Sequence, residues 1–365
     1  MFLIVTRSFP PDIGGMQMLM GGLSESLLNH GPVKVFTYDH PNSDSYDKKS
    51  SINIERVKGI KLFKTFRKAN LINSFINEKT NIRALIVDHW KSLELVRIEN
   101  CKNVKIFCLL HSKEINHEIG SSLNKRLIKS TKNADFIIAN SNFTKQLAIK
   151  VGIDSSKISV IFPGIPKPRP IENIKKAEAE KVFKDFFPRI ITVARLEKRK
   201  GHDKILMLIK NLKTKFPKIK YVSIGLGKEE SSLLKLSKEL NIENEVTFLK
   251  NIDSDLKAAL ISEANLFLMP NRIEKKSVEG FGIAFIEAAS YGVGSIGGKD
   301  GGSSDAIKHN KTGIICDGNN LNSIYDSVVD FLTNENYVKF GKNAQEFSEK
   351  FHWEKVVKNY LKLIN

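Results

Sequence analysis

The sequence of 365 residues contains only three cysteines, which are Cys101, Cys108 and Cys316. Their number is odd, and their spacing fits neither a disulfide framework nor a paired metal-ligand pattern. A disulfide-stapled secreted scaffold is therefore excluded, and we expect all three residues to be structural thiols.

Long apolar runs are also missing from the chain. None approaches the roughly 18 residues that a membrane-spanning helix requires. The first five residues are apolar, but this stretch is too short for a signal peptide and no charged region precedes it. We therefore expect a cytoplasmic protein that does not cross the membrane.

Acidic residues are few relative to basic ones, with 40 against 58, which gives a formal net charge of +18. Such a field attracts nucleic acid, anionic lipid and phosphorylated ligands alike. The alternative is a lysine-rich surface without a specific partner, encoded by a genome rich in A and T. Charge alone does not choose between these interpretations.

The length of the chain favours two domains, each with its own apolar core. Short apolar runs rich in Val, Ile and Phe alternate with helical patterns, which predicts parallel sheets with helices on both faces. The predicted strands are 2–6, 33–37, 52–57, 84–88, 104–110, 135–140 and 158–162 in the first half, and 189–194, 219–224, 245–249, 265–269, 293–297 and 313–316 in the second. The prolines of residues 163–170 forbid a helix or a central strand, so this segment is the predicted linker. We expect an α/β protein with two doubly wound, Rossmann-like domains that face a shared cleft.

Glycines or basic residues follow several of the predicted strands. Gly14 and Gly15 let backbone N–H groups approach a phosphate at a helix N-terminus, although a plain turn has the same sequence. Arg195 and Lys200 supply cations suited to a diphosphate whose charge grows as its bond to a sugar breaks, with a solvated basic loop as the alternative. Gly225 belongs to a further strand-to-helix turn, which is uninformative by itself.

The segment 279–289 is the most informative part of the sequence. Gly280 and Gly282 predict the start of a helix whose free N–H groups can bind phosphate or sugar oxygens. Glu279 and Glu287 are about two helical turns apart and can address one extended ligand, although a carboxylate at a helix terminus can also be a cap. Glu287 lies within an otherwise apolar helical pattern, where an unpaired carboxylate is costly, so the sequence favours a ligand role for it.

In their order along the chain, these segments resemble the retaining GT-B glycosyltransferases of family four, also called group 1 glycosyl transferases. The matching pieces are residues 10–15, 109–111, 163–165, 195–200, 225, 301–305 and 312–313, together with Glu279 and Glu287. The resemblance covers the whole length of the chain, and the two glutamates form its most specific motif. Asn271, Arg272, Lys275 and Lys276 resemble the subgroup that includes mannosyltransferases acting on phosphatidylinositol lipids.

The resemblance implies roles for individual residues. It implies donor-phosphate contacts at Gly14 and Gly15, diphosphate binding by Arg195 and Lys200, a donor contact at Gly225, donor-sugar binding by Glu279 with Gly280, Phe281 and Gly282, and ribose binding by Glu287. His111 matches the family's active-site histidine close to the reacting sugar. The sequence departs from the family after this histidine, because Ser112, Lys113 and Glu114 stand where the family often has glycine and then an acidic residue.

The implied reaction is transfer of a sugar, with retention of configuration, from a GDP- or UDP-linked donor to a lipid or cell-envelope glycan. Arg195 and Lys200 supply the positive charge that a metal ion would supply, so no metal and no other cofactor is expected. Asp253 and Asp255 have the spacing of a metal-binding Asp-x-Asp, but they precede a helical pattern and most simply cap it.

The chain ends in an amphipathic helical pattern, residues 351–360. In resembling proteins this helix returns to the first domain, and Trp353 is a natural anchor for the return. We therefore predict a discontinuous acceptor-side domain, residues 1–165 plus 349–365, and a nucleotide-sugar-binding domain, residues 166–348.

Other functions compete with this interpretation. A sugar-nucleotide epimerase or a phosphorylase can use the same fold, but the glutamate motif argues against both. A dinucleotide oxidoreductase needs Gly-x-Gly-x-x-Gly after the first strand, which residues 9–15 do not supply. A basic nucleic-acid-binding protein would show basic residues interleaved with aromatic ones, and no such platform is found, so no nucleic-acid partner is expected.

A local charge cluster points instead to a membrane surface. Residues 55–68 hold six cations, Arg56, Lys58, Lys61, Lys64, Arg67 and Lys68, and the single acid Glu55. A helix from Lys61 would place Leu62, Phe63, Phe66 and Ala69 on one stripe, and Lys61, Lys64 and Lys68 on the other side. Such a helix can bind an anionic membrane; alternatively, the stripe packs on the sheet and the lysines are solvated. We expect peripheral contact with the inner face of the cytoplasmic membrane.

Overall fold

The computed structural model describes residues 1–365, apart from the side chains of Lys61, Leu62 and Asn334. The chain divides into two compact units, of which the first comprises Met1–Pro166 and Phe351–Asn365 and the second Lys167–Lys350. These limits lie within two residues of the predicted boundaries.

Each unit contains one parallel sheet. The strands of the first unit are β1 (Phe2–Val5), β2 (Val33–Tyr38), β3 (Asn53–Val57), β4 (Ala84–Val87), β5 (Lys105–Leu110), β6 (Phe136–Ala139) and β7 (Ile158–Val160), and those of the second are β8 (Arg189–Val193), β9 (Lys220–Ile224), β10 (Val246–Leu249), β11 (Leu266–Met269), β12 (Ser295–Gly298) and β13 (Gly313–Cys316). All thirteen predicted strands are confirmed, with ends that differ by at most two residues. They were recognisable because strands covered on both faces are almost continuously apolar, as in β1, β4 and β11, where every residue is buried.

Helices connect the strands and cover both faces of the sheets. They are α1 (Gly15–Leu28), α2 (Ser43–Asp47), α3 (Lys61–Glu78), α4 (Trp90–Leu93), α5 (Ser122–Thr131), α6 (Asn142–Lys150), α7 (Asn173–Phe183), α8 (His202–Leu212), α9 (Glu230–Glu239), α10 (Ser254–Ser262), α11 (Ile283–Ser290), α12 (Ser303–Ala306), α13 (Leu321–Leu332), α14 (Asn336–Ser348) and α15 (Trp353–Ile364). No helix among the described residues combines the length and the apolar character needed to span a bilayer.

The strand order places a topological switch point in each sheet. The first sheet runs β3-β2-β1-β4-β5-β6-β7 and the second β10-β9-β8-β11-β12-β13. The connections therefore leave in opposite directions from β1 and β4, and from β8 and β11. Open α/β sheets bind ligands beyond the strand carboxyl ends at such a point, so these four strand ends locate the candidate sites.

Helix α15 belongs to the first unit and packs on α1. The ring of Trp353 lies so close to two glycines that a Cβ atom on Gly22 would come within 2.1 Å of it, and one on Gly164 within 2.4 Å. These two glycines thus make room for Trp353, the residue predicted to anchor the helix.

The three cysteines are buried and form no disulfide. Burial raises the pKa of Cys101 to about 11 and that of Cys316 to about 12, and it also raises the pKa of Cys108. Thiols of this kind stay protonated and unreactive, as expected for structural residues.

Helix α3 exposes two phenylalanines of the predicted apolar stripe to solvent. Phe63 and Phe66 are 74% and 70% exposed, and Ile60, the residue before the helix, is 76% exposed. Arg67 is also exposed. The alternative in which the phenylalanines pack on the sheet is therefore wrong.

Lys68 lies on the inner side of α3 and is fully buried. Its ammonium group donates a hydrogen bond to the Thr6 carbonyl and lies 4.4 Å from the centroid of the Tyr38 ring. Burial lowers the pKa of Lys68 to about 8, against the opposing charge of Asp88. The prediction of a lysine face that includes Lys68 is wrong, because these internal partners draw the side chain inward. The predicted positions of the Lys61 and Leu62 side chains fall outside the described residues.

Candidate functional site

The switch point of the second unit carries a cluster of charged side chains. Strands β8 and β11 are neighbours in the sheet, so the loops that follow them emerge side by side. The first loop, residues 194–201, contributes Arg195, Glu197, Arg199 and Lys200, and the second brings Glu279 to them. The structure therefore brings together three of the predicted site residues, Arg195, Lys200 and Glu279.

Glu279 is the centre of this cluster. Its Oε2 atom accepts a hydrogen bond of 2.7 Å from the Arg199 guanidinium and another from the Lys200 ammonium group. The side chains of all three residues are nearly buried, with exposures of 11–13%. Lys200 also lies 3.5 Å from the sulfur of Met269, at the end of β11.

Burial and charge act in opposite directions on these groups. Burial by itself raises the pKa of Glu279, but the charges and hydrogen bonds of Lys200 and Arg199 outweigh it and hold the pKa at about 2. Burial lowers the pKa of Lys200. Glu279 is consequently ionised at neutral pH, and its charge partly neutralises a cationic pocket.

Arg195 lies at the exposed end of the same network. Its guanidinium forms a 3.1 Å ion pair with Glu197, whose other oxygen accepts a 2.9 Å hydrogen bond from Arg199. The Arg195 side chain is 70% exposed, and an ion pair so open to water contributes little energy. Arg195 can therefore exchange Glu197 for the oxygens of an anionic ligand at small cost.

Close backbone packing explains the glycines of the turn after β9. A Cβ atom on Gly225 would lie 2.0 Å from the carbonyl oxygen of Ala194, and one on Gly227 would lie 2.3 Å from that of Leu196. Glycine is thus required at both positions, because a side chain there would prevent this turn from packing against the loop that contains Arg195. A donor contact at Gly225 stays a prediction.

The segment from Glu279 to α11 is held in the same way. A Cβ atom on Gly302 would lie 2.0 Å from the Gly280 carbonyl oxygen, and the Gly302 N–H donates to the Glu279 carbonyl at 2.9 Å. Phe281 is buried, and Gly282 has a φ of +91° and immediately precedes α11. The predicted helix start is confirmed. In its first turn the Phe285 N–H donates to the Gly282 carbonyl at 2.9 Å. Helix geometry gives the N–H groups of Ile283 and Ala284, in contrast, no partner within the helix.

Glu287 lies on α11 and has a charged partner. Its Oε1 atom accepts a hydrogen bond from the ammonium group of Lys257, on α10. The premise that Glu287 is unpaired is therefore wrong, because the packing of α10 places Lys257 beside its carboxylate. Only one carboxylate oxygen takes part in this contact, and the side chain keeps 18% exposure. Ribose binding by Glu287 stays a prediction.

Three charged residues of this region were not identified from the sequence. Glu197 and Arg199 stand in the same basic segment as Arg195, and their pairing depends on the fold of the turn that contains them. Lys257 pairs with a residue thirty positions away. The Glu-x-Arg spacing of Glu197 and Arg199 was the one available signal, because a carboxylate and a guanidinium two positions apart can form an ion pair.

Arg272, one of the residues behind the subgroup resemblance, has a structural contact. Its guanidinium forms two hydrogen bonds, of 3.0 and 2.9 Å, with the carboxylate of Asp203 at the start of α8. Asn271 binds the backbone of Gly298 and Asp300. These residues fix the loop after β11 on its neighbours.

His111 follows β5 in the first unit, near that unit's own switch point. Its Nε2 atom lies 3.0 Å from the carbonyl oxygen of Asp88, which follows β4, and its backbone N–H donates to the Glu114 carboxylate. The ring is half-buried. Asp88 in turn accepts hydrogen bonds from Thr6 and from the backbone of Arg7, so the ends of β1, β4 and β5 are tied together.

The loop with Gly14 and Gly15 leads into α1, as predicted. Arg56 holds this loop, because its guanidinium pairs with Asp47 at 2.7 and 2.8 Å and also donates to the Pro10 carbonyl. The Arg56 side chain is 5% exposed. Its assignment to a membrane-facing cluster is therefore wrong.

Asp253 caps α10, as the sequence predicts. Its Oδ1 atom accepts hydrogen bonds from the backbone N–H groups of Asp255 and Leu256, at 3.1 and 2.7 Å. Its Oδ2 atom pairs with Lys175 at 2.9 Å. Both oxygens of this carboxylate are engaged in stabilising α10.

Comparison with known proteins relates this architecture to one enzyme class. Residues 13–168 match the family model of Glycosyltransferase Family 4, and residues 173–347 match that of Glycosyl transferases group 1. A GDP-mannose-dependent alpha-(1-6)-phosphatidylinositol monomannoside mannosyltransferase of Mycobacterium tuberculosis is 24% identical over 371 residues, covering 96% of this chain and 94% of that protein.

Solved structures show the same fold at low identity. Anabaena HepE in complex with UDP superimposes with a TM-score of 0.82 at 15% identity, covering 100% of this chain and 99% of that one. Sucrose-phosphate synthase from Thermosynechococcus elongatus gives a TM-score of 0.80 at 20% identity, covering 99% and 98%. The two doubly wound units, their order and the two family models agree: the chain has the GT-B fold and belongs to the group 1 glycosyltransferases of family four, which are nucleotide-sugar-dependent enzymes.

Proposed function

We propose that the protein transfers a sugar from a nucleotide diphosphate sugar to a lipid acceptor of the cell envelope, with retention of configuration. The observation that carries the proposal is the cluster of Arg195, Lys200 and Glu279 at the switch point of the second unit. It combines cations for a diphosphate with a fixed, ionised carboxylate. The relatives that match 90% or more of this chain include GDP-mannose-dependent phosphatidylinositol monomannoside mannosyltransferases, which favours a GDP-linked donor over a UDP-linked one.

In the proposed reaction, the bond between the anomeric carbon and the diphosphate oxygen breaks while the acceptor hydroxyl bonds to the same face of that carbon. The leaving diphosphate takes the acceptor's proton. Arg195 and Lys200 stabilise the negative charge that develops on it, which is the largest electrostatic demand of the step. Glu279 holds the donor sugar, Glu287 binds the ribose, Gly14 and Gly15 contact the donor phosphate, and His111 acts on the side of the reacting sugar.

A thermal-shift series with GDP, UDP and ADP, followed by their sugar conjugates, tests the donor assignment. A ligand present at about a hundred times its Kd stabilises the folded state by about 2.7 kcal/mol, which raises the melting temperature measurably. We expect GDP to give the largest shift and GDP-mannose to be the first donor turned over. Absence of a shift with every nucleotide, at millimolar concentration, would contradict the proposal, and NMR of the product's anomeric proton decides between retention and inversion.

The lipid acceptor requires access to a membrane, and we assign the contact to the start of α3. Ile60, Phe63 and Phe66 form an exposed apolar patch, and Lys58 and Arg67 are exposed within or beside it. Large apolar side chains bordered by cations suit the headgroup region of an anionic bilayer. The patch directly follows the carboxyl end of β3, on the sheet edge at which Asp88 and His111 also emerge.

Flotation with anionic and neutral vesicles tests this surface. We expect wild type to float with phosphatidylglycerol vesicles at low salt and less at high salt. Replacing Phe63 and Phe66 with serine should abolish flotation, and replacing Lys58 and Arg67 with glutamate should weaken it. Ile174→Ser removes an equally exposed apolar side chain of the second unit and serves as the control. Flotation of the double serine variant at the wild-type level would refute the assignment, whatever the enzyme's activity.

A further inference from the structure

We propose that Arg199 is a positioning residue of the donor site: together with Lys200 it fixes one oxygen of Glu279, Oε2, and so leaves Oε1 to accept hydrogen bonds from the hydroxyl groups of the donor sugar. This inference rests on the proposed function, because it assumes that Glu279 faces the sugar.

The contacts of Glu279 are strongly unequal between its two oxygens. Both hydrogen bonds in which the carboxylate takes part, from Arg199 and from Lys200, end on Oε2. Among the described residues, no contact involves Oε1. A carboxylate held at one oxygen by two cations has a fixed orientation, and its second oxygen keeps its capacity to accept hydrogen bonds.

Arg199 is itself held by two other groups of the protein. Its Nε atom donates to Glu197 at 2.9 Å, and its backbone carbonyl accepts a 2.9 Å hydrogen bond from the N–H of Arg272. Its side chain is only 11% exposed. Glu197 thus holds Arg199 on one side, and the terminal nitrogen of Arg199 donates to Glu279 on the other. This arrangement suits a residue that orients Glu279 rather than one that contacts the ligand.

Lys200 alone cannot fix the carboxylate in the same way. An ammonium group is a point charge on a flexible stem, whereas the planar guanidinium of Arg199 has a defined direction. The charged groups that face Glu279 are Lys200 and Arg199, and Glu197 lies behind Arg199. The uncharged neighbours are the Met269 sulfur, which contacts Lys200, and the Gly302 N–H, which donates to the Glu279 carbonyl. Removal of Arg199 therefore leaves Glu279 charged but free to rotate.

Three variants of the same turn test the proposal. Arg199→Gln removes the support, Arg199→Lys keeps the charge without the planar group, and Lys198→Gln is the matched control. Lys198 is the exposed neighbour of Arg199, and no ion pair or hydrogen bond of its side chain is found among the described residues. We expect Arg199→Gln to lower kcat about ten- to a hundredfold, the usual effect of losing one hydrogen bond to a charged group. Arg199→Lys should recover part of this loss, and Lys198→Gln should match wild type.

Binding of the free nucleoside diphosphate separates positioning from phosphate binding. We expect its Kd, from calorimetry with GDP and UDP, to change less than about threefold in Arg199→Gln, because GDP and UDP carry no donor sugar. A Kd that rises as much as kcat falls would make Arg199 a phosphate ligand and overturn the proposal, as would an unchanged kcat. If Arg199→Gln does not fold, Arg199→Lys, which keeps the charge without the planar group, should lower kcat in the same direction and by less, again with little change in the Kd of the nucleoside diphosphate.

A titration of Glu279 gives a readout that does not depend on turnover. The carboxyl ¹³C signal of Glu279, identified by its loss in Glu279→Gln, should titrate at higher pH in Arg199→Gln than in wild type and stay in place in Lys198→Gln. If this signal moves as expected while no nucleotide sugar is turned over, the proposed function fails and the support of Glu279 by Arg199 stands. If the signal does not move, the support itself is refuted.

Discussion

Ser112 stands directly after His111 in a backbone conformation that favours glycine, with a φ of +85°. It is fully buried, and its hydroxyl oxygen has no hydrogen-bond partner among the described residues. Both features cost free energy, and both fall at the position where the family often has glycine.

Ser112→Gly should therefore stabilise the first unit. Relief of backbone strain and loss of the unpaired hydroxyl outweigh the greater freedom of glycine in the unfolded chain, for a net gain of about 1 kcal/mol. Urea unfolding followed by tryptophan fluorescence measures this, because Trp90 and Trp353 are the two tryptophans of the chain and both belong to the first unit. An unfolding midpoint at or below that of wild type would contradict the interpretation.

His89 couples the stability of the first unit to pH. It is buried, and its Nδ1 atom accepts a 2.9 Å hydrogen bond from the Lys91 N–H at the start of α4, so this nitrogen must be unprotonated. Burial, followed by the charges of Arg7 and His111, lowers the pKa of His89 from 6.5 to about 2. Because the folded-state pKa is depressed, the contribution of His89 is complete above pH 6.5 and is lost progressively as the pH falls towards the folded value.

We expect this residue to cost the first unit about 2–3 kcal/mol of its unfolding free energy between pH 7 and pH 4.5. His89→Asn keeps a side chain that can cap α4 but cannot titrate, so its stability should fall less steeply over this range. Urea midpoints at several pH values, again by tryptophan fluorescence, give the two slopes. Equal slopes would show that His89 is not the group responsible.

At the scale of the element, α11 separates the two glutamates of the proposed donor site. Glu279 precedes the helix in the loop after β11, and Glu287 lies within the helix beside Lys257 of α10. They therefore stand in different electrostatic surroundings, the first between two nearly buried cations and the second beside one half-buried cation.

This difference predicts different kinetic effects. Glu287→Ala should raise the Kd of the nucleoside diphosphate about ten- to a hundredfold, because the ribose loses a charge-assisted hydrogen bond. Glu279→Gln should slow transfer by a similar factor but leave that Kd unchanged or lower it, since Arg199 and Lys200 are then less neutralised. Glu263→Ala, which breaks the 2.8 Å ion pair of another glutamate with Arg189, controls for the loss of an ion pair in this unit. Equal nucleotide affinity in wild type and Glu287→Ala would remove Glu287 from the ribose site.

Local patterns and contacts between elements differ in how far the sequence reveals them. The strands, the cap at Asp253 and the start of α11 after Gly282 follow from residues adjacent in the chain, and all were predicted. The partner of Glu287 and the inward direction of Lys68 depend on residues 30 and 62 positions away. Hydrophobic periodicity carries no information about such pairs, so the sequence suggested a free carboxylate and a solvated lysine instead.

At the scale of the whole molecule, the net charge of +18 overstates the cationic surface. Arg56, Lys68, Arg199 and Lys200 all have internal partners, and the last two share Glu279 as their partner. Part of the excess positive charge therefore serves internal contacts of the fold and is not available to a partner at the surface.

Fixed cations at the donor site predict an enzyme that works without a divalent metal. In the proposed reaction, Arg195 and Lys200 neutralise the leaving diphosphate in place of a metal ion, and they are covalently part of the chain. Turnover of the intact enzyme should consequently be unchanged after dialysis against EDTA, within the error of the assay.

The Asp-x-Asp pattern of Asp253 and Asp255 allows a second test of metal independence. Asp253→Ala should lose about 1 kcal/mol of stability, because the helix cap is removed, and it should keep its activity. Loss of transfer on chelation, restored by Mg²⁺ or Mn²⁺, would refute the role of Arg195 and Lys200 as substitutes for a metal ion. If Asp253→Ala were then inactive with either ion, Asp253 would be a metal ligand, and it would have to leave Lys175 and the backbone of α10 to bind the metal.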